Sequence, residues 1–266
     1  MDIWRETFPL RFGAIDRSDR LTLWSTFEFF QDAAISHAEV LGVGREAMKT
    51  TGQAWVLSRL SVFWERRPKY GEIITVRSWP RGWEKLFAIR DYDIRDAEDR
   101  PIVRGRSGWL ILDIEKRRPL RVQQIVAPLP RNDGENAFSA AAPGLSAREN
   151  LVQSGERRAA YSDVDYNGHV NNTRYIQWIQ DIVDPALLER AEKKRLDINY
   201  LSEVKPGEMI GIWIAPFADV SSDAYGADCP EKVSAALAVE GRRPESGQSV
   251  FRAELRIESG APQPPV

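Results

Sequence analysis

Thiols and imidazoles are scarce in this chain. Its 266 residues include one cysteine, Cys229, and two histidines, His37 and His169. One thiol excludes a disulfide framework and a cysteine-based zinc site within a single chain. Cys229 itself, in Tyr225-Gly-Ala-Asp-Cys-Pro230, reads as an incidental loop thiol. Two histidines without an H-E-x-x-H leave zinc short of ligands, and no metal or cofactor is expected. There is no G-x-S-x-G, so no nucleophile elbow. Gly42-Val-Gly44 belongs to no G-x-G-x-x-G and follows no strand, so a nucleotide fold has no support. No apolar run of 18 residues occurs, and the start Met-Asp-Ile-Trp-Arg-Glu lacks the regions of a signal peptide. A cytoplasmic protein without a membrane span is therefore expected. The net charge of −2 provides no global field to draw the chain to nucleic acid or an anionic membrane.

What is present is the material of a large soluble core, with 42% hydrophobic residues and nine tryptophans. Phe8–Phe12 reads as an opening strand. A helix follows from Ser25, capped by a Ser25/Glu28 box and closed at Gly42, with Phe27, Phe30, Ala34 and Ala38 on one face. His37, near its end, reads as a core-edge residue or as one that neutralises the helix dipole. Strands are expected at 54–64, 73–80, 86–94 and 102–114. The stretch 116–157 is punctuated by proline and glycine and reads as a linker crossing the surface. The plan then repeats: a strand at 158–162, a loop, a helix containing Tyr175, Trp178, Ile179 and Ile182, and a short helix 186–194. Strands follow at 196–204, 209–216, 233–240 and 250–257, and a flexible tail at 259–266 ends the chain.

The repeat is visible in residues. Phe29-Phe-Gln-Asp32 aligns with Trp178-Ile-Gln-Asp181, and Lys69-Tyr-Gly-Glu-Ile73 with Lys205-Pro-Gly-Glu-Met209. Asp16 then falls on Asp165, and Arg67 on Glu203. Each unit is a one-sided helix laid across an antiparallel sheet of about five strands. The fold class expected is α+β, two tandem hotdog units at 1–115 and 158–258. Ser18 and Arg20 stand where Asn167 and His169 stand, so the chemistry belongs to the second unit.

The second-unit loop, Asp163-Val-Asp-Tyr-Asn-Gly-His-Val-Asn-Asn172, places Asp165, Asn167 and His169 at alternate positions before a helix start. Such a start presents free N–H groups and a partial positive charge, equipment for polarising a carbonyl. The loop also fits the first half of an EF-hand, with Asp163, Asp165, Asn167 and Gly168 at positions 1, 3, 5 and 6. Position 12 is Arg174, a cation where calcium needs a bidentate carboxylate. Calcium binding is rejected on that residue.

Asp165-Tyr-Asn-Gly-His-Val-Asn-Asn-Thr-Arg-Tyr-Ile-Gln-Trp178 resembles the D-x-N-x-H-V-N-N-x-x-Y-I-x-W signature of the acyl-acyl carrier protein thioesterases of bacteria and plant plastids. Phe8-Pro-Leu-Arg11, Gln31-Asp-Ala-Ala-Ile-Ser-His37, Trp55-Val-Leu-Ser-Arg59 and Trp109 match its first half. Asn199-Tyr-Leu-Ser-Glu-Val204 matches its second. The resemblance implies a catalytic set of Asp165, Asn167, His169 and Glu203, with Glu203 on the strand after the helix. It also implies hydrolysis of fatty acyl thioesters on acyl carrier protein. Val204 stands where plant members carry a cysteine, so no thiol nucleophile acts there. The absence of a transit peptide points to a bacterial-type member.

Several expectations follow from that reading. Backbone N–H groups of Asn171, Asn172 and Thr173 hold the carbonyl oxygen. Glu203 or Asp165 activates water or attacks directly. The acyl chain lies between the helix and sheet of the first unit, along Phe27, Phe30, Ala34, Trp55 and Leu57. Docking charges for the acidic carrier are sought at Arg66, Arg67 and Lys69, at Lys116–Arg118 and at Lys193–Arg195. A homodimer is compatible with the sequence. The alternatives are a non-catalytic acyl-thioester binding module, an acyl-CoA thioesterase and a hotdog dehydratase.

Overall fold

A computed structural model of the chain describes residues 2–120, 129–218 and 225–259. It divides into two compact units, one of Met1–Leu60 with Arg67–Ala142, the other of Ser61–Arg66 with Pro143–Val266.

The first unit holds β1 (Trp4–Pro9), α1 (Leu23–Val40), α2 (Arg45–Thr50), β2 (Gln53–Trp64, as far as Leu60), β3 (Ile73–Glu84), β4 (Phe87–Arg95), β5 (Pro101–Asp113) and the two-residue β6 (Arg118–Pro119). The sheet runs β1-β3-β4-β5-β2, with β1, β3, β4 and β5 paired antiparallel. The strand β1 opens at Trp4 rather than at Phe8. The helix α1 starts at Leu23 because Thr22, not Ser25, is its cap: the Thr22 hydroxyl accepts the Ser25 N–H at 2.9 Å. Its buried face includes Phe27, Phe30, Ala33, Ala34 and His37. Phe30 stacks on Tyr92 at 4.7 Å, and a Cβ at Gly105 would meet the Phe30 ring at 2.6 Å. Glycine at 105 is what lets the helix lie this close to the sheet.

The outer face of this sheet is charged yet buried. Arg106 forks onto Asp91 at 2.7 Å on both arms, and Arg77 onto Asp93 at 2.7 and 2.5 Å. The segment after residue 129 lies against these strands: Ala137 N–H reaches Asp91 at 2.9 Å, and Trp79 Nε1–H reaches the Glu135 carbonyl at 3.0 Å. Ala137, Phe138 and Ala142 are buried. Part of the expected surface linker is thus the cover of the sheet, because paired outer-face charges offer its backbone hydrogen-bond partners.

The second unit holds β7 (Val152–Arg158), α3 (Asn172–Ile182), α4 (Pro185–Arg190), β8 (Ala191–Tyr200), β9 (Met209–Pro216), β10 (Ala235–Arg242) and β11 (Ser249–Ser259). The sheet order is β8-β11-β10-β9-β7, antiparallel throughout. The strand β7 occupies 152–158, not 158–162; its polar, largely exposed residues carry no apolar alternation. The strand β8 begins at Ala191, so Lys193-Lys-Arg195 is strand rather than helix. Lys194 and Arg195 are fully buried. Arg195 forks onto Asp197 at 2.9 and 2.8 Å, and Lys193 pairs with Glu65 at 2.8 Å. Residues 219–224 of the expected insertion and 260–266 of the tail lie outside the described residues. Among the described residues no helix is long and apolar enough to cross a membrane.

Candidate active site

The loop before α3 is a short hairpin. Val164 and Val170 form an antiparallel bridge, Gly168 N–H donates to the Asp165 carbonyl at 3.0 Å, and Asp165 N–H to the His169 carbonyl at 2.9 Å. Gly168 takes φ +78°, the left-handed position that such a turn demands. Asp165 Oδ1 accepts the Asn167 N–H at 2.8 Å, the local bond that aspartate makes in turns. Asp165 therefore holds the loop's shape, leaving Asn167 exposed at the turn and His169 half-buried behind it.

Glu203 meets this loop, but from a loop of its own and not from a strand. The strand β8 ends at Tyr200, because Leu201 and Ser202 N–H both donate to the one Val250 carbonyl, at 2.9 and 3.2 Å. The chain then turns so that Val204 O accepts the Val170 N–H at 2.8 Å, which pins Glu203 beside the hairpin. Glu203 Oε2 lies 3.2 Å from His169 Nε2. Arg243 grips this segment: it donates to the Glu203 carbonyl at 2.5 Å, to Ser202 Oγ at 3.1 Å and to Glu208 at 3.0 Å. Sequence reading missed Arg243, since Arg242-Arg243-Pro looks like an ordinary solvated turn. Tyr175 packs below. Burial raises its phenol above the usual value, so it remains a neutral hydroxyl.

The three N–H groups expected to hold an oxyanion are not equivalent. Asn171 N–H donates to the Asp163 carbonyl at 2.8 Å, and Thr173 N–H to Asn171 Oδ1 at 2.9 Å, the N-cap bond of α3. Both are spent on the fold. Asn172 is the first residue of α3, and among the described residues its N–H is not taken up by the fold as the other two are. Tyr200 Oη fixes this residue from behind by donating to the Asn172 carbonyl at 3.2 Å.

The first unit repeats the scaffold with different side chains. Ile15 and Leu21 form the bridge, Asp16 N–H donates to the Arg20 carbonyl at 2.9 Å, and Leu21 N–H to the Pro68 carbonyl at 2.9 Å. Asp19 takes the glycine's place at φ +61°. Asp16 accepts the Ser18 N–H at 2.9 Å and is ion-paired with Arg67. Burial alone would raise the Asp16 carboxyl, but Arg67 and Ser18 overcome this and hold it below its usual value. Arg67 is 4% exposed, so it is a structural cation and not a docking charge.

The proposed acyl lining lies in the first unit. Phe27, Phe30, Ala34 and Leu57 are buried between α1 and the sheet. Trp55 is half-buried; its indole N–H donates to the Val43 carbonyl at 2.9 Å and its ring stacks on Trp83. His37 is fully buried, its Nδ1 3.1 Å from Arg90 Nη1.

Two helix-on-sheet units, one with a complete polar loop and one with a degenerate copy, define a tandem hotdog protein. The family model of the acyl-ACP thioesterase N-terminal domain matches residues 1–129, and that of the C-terminal domain matches 148–254. The chain belongs to the acyl-ACP thioesterase family. A palmitoyl-acyl carrier protein thioesterase of Cuphea hookeriana is 24% identical over 218 residues, 76% of this chain and 52% of that protein. An oleoyl-acyl carrier protein thioesterase of Coriandrum sativum is 23% identical, over 81% of this chain and 63% of that one. The chain thus spans between half and two thirds of the length of these curated relatives. Among solved structures, an acyl-ACP thioesterase from Bacteroides thetaiotaomicron matches with a TM-score of 0.74 at 23% identity, covering 97% of this chain and 98% of that one. A 12:0-ACP thioesterase from Umbellularia californica matches with a TM-score of 0.72 at 18% identity, over 97% and 94%. These likenesses establish the fold.

Proposed function

We propose that this protein hydrolyses the thioester of fatty acyl-acyl carrier protein, releasing the free fatty acid and ending chain elongation. The observation that carries the reading is the 3.2 Å approach of His169 Nε2 to Glu203 Oε2 beside the N-terminus of α3. In this reading Glu203, oriented by His169, takes a proton from water as the water oxygen attacks the thioester carbon. The developing oxyanion is met by the Asn172 N–H and the Asn167 amide. The C–S bond then breaks, and the proton passes to the departing thiolate through the same pair. Asp165 acts at one remove by fixing the turn that carries Asn167 and His169.

Acyl carrier protein is part of this proposal, and so is a cytoplasmic location. The docking candidates are the exposed Lys69 and Lys116–Arg118 and the half-buried Arg66 and Lys193, since Arg67, Lys194 and Arg195 are buried. The acyl chain is placed along Phe27, Phe30, Ala34, Trp55 and Leu57. The test is thiol release measured across acyl lengths on carrier protein and on CoA in parallel. Turnover on carrier-bound acyl groups, with a KM that rises with salt, supports the proposal. Turnover on acyl-CoA alone, or binding without thiol release, overturns it.

A further inference from the structure

A second polar cluster lies away from the His169 loop, under α1 in the first unit. Trp4 of β1 pairs with Ser78 of β3, and Arg90 of β4 pairs with Pro80, two residues along. Successive same-face positions therefore bring Trp4, Ser78 and Arg90 to the side of the sheet that faces His37. Arg90 Nη1–H donates to Ser78 Oγ at 2.9 Å and lies 3.1 Å from His37 Nδ1. The Trp4 ring stands 6.4 Å from the His37 ring.

The cluster brings together a charge and several donors. Arg90 is 8% exposed, Ser78 and His37 fully buried. Among the described residues no carboxylate pairs with Arg90, and its Nε and Nη2 make no hydrogen bond. Its neighbour Asp91 points to the other face, where Arg106 holds it. The Trp4 indole N–H is buried with no partner among the described residues. An arginine does not shed its proton in a protein, so the guanidinium stays charged with no carboxylate to balance it among the described residues. Its open Nε–Nη2 edge presents two parallel N–H groups, the geometry that matches two oxygens of one carboxylate.

We propose that Arg90, Ser78, His37 and Trp4 form a binding site for a small monocarboxylate. Its two oxygens sit on the Nε–Nη2 edge of Arg90, within reach of the Trp4 indole. The test reads binding rather than turnover, so its outcome does not depend on thioester hydrolysis. The measurement is thermal unfolding of the full chain in acetate, octanoate or chloride at constant ionic strength. A ligand that binds only the folded state raises the midpoint with its concentration. Acetate is expected to raise it saturably and chloride much less. Octanoate separates a short acid from the end of a long one. Arg90→Met should abolish the response, and Trp4→Phe should weaken affinity about fivefold, the loss of one hydrogen bond. Should Arg90→Met fail to fold, the Arg90 Nε–H resonance of the unaltered protein, followed during acetate titration, gives the same reading. An equal response in Arg90→Met, an equal effect of chloride, or an unmoved Arg90 resonance overturns the proposal.

Discussion

Arg67 occupies in the first unit the place that Glu203 occupies in the second. Each immediately precedes the residue whose carbonyl accepts an N–H from the hairpin loop, Pro68 from Leu21 at 2.9 Å and Val204 from Val170 at 2.8 Å. Where Glu203 faces a histidine, Arg67 faces the aspartate of its own loop. A cation in that position neutralises the loop carboxylate and locks it. One scaffold thus carries a His169–Glu203 pair in one copy and an Arg67–Asp16 ion pair in the other.

The structural pair should show itself in acid. Asp16 is held below its unfolded value, so its contribution to stability is complete above about pH 5 and is lost as pH falls through the folded value. Asp16→Asn should flatten the acid limb of a stability-against-pH curve. Arg67→Met should cost roughly 3 kcal/mol, the low end for a broken buried pair, since the Asp16 side chain keeps 22% exposure. Denaturant unfolding at pH 4 and 7 checks both.

The proposed role of the His169 loop should show itself in turnover. His169→Ala and Asn167→Ala should each lower kcat at least about 10²-fold, the usual cost of losing a transition-state partner, with unfolding midpoints little changed. Steady-state kinetics beside circular dichroism tests this.

Arg243 touches the Glu203 segment through the Glu203 carbonyl and Ser202, not through the carboxylate. Arg243→Met should therefore lower kcat about tenfold, about 1.4 kcal/mol, while KM holds. Arg243→Lys should recover only part of the loss, because lysine cannot reproduce the fork. A fall in KM-dependent terms alone would place Arg243 in binding instead.

Ala34 lies on the α1 face that packs over the first sheet. Ala34→Trp should shift the preferred acyl chain to shorter lengths if the chain lies there. Product analysis by chain length measures it, and an unchanged profile in a folded variant makes Ala34 plain core.

How much of this could be read from residues alone varies with how far each interaction reaches. The repeated Lys-x-Gly-Glu turn was legible because it is local: Lys69 and Lys205 N–H donate to Glu72 and Glu208 side chains at 2.8 and 3.1 Å. The loop of Asp165, Asn167 and His169 was legible for the same reason. Lys194 and Arg195 look like surface charge in the sequence, because a cationic run reads as solvated until its strand neighbours are known. Arg243 was invisible because it reaches Glu203 across 40 positions. The strand β7 lacked any apolar alternation to announce it.

The most direct measurement is single-turnover thiol release from acyl-carrier substrate by paired loop variants of matched stability. The account predicts that Glu203→Gln in the second unit removes release, by at least about 10²-fold, while Arg67→Met with Asp16→Asn in the first unit leaves it near the unaltered rate. Equal losses from both loops, or near-normal release by Glu203→Gln, would contradict the assignment of chemistry to the second unit.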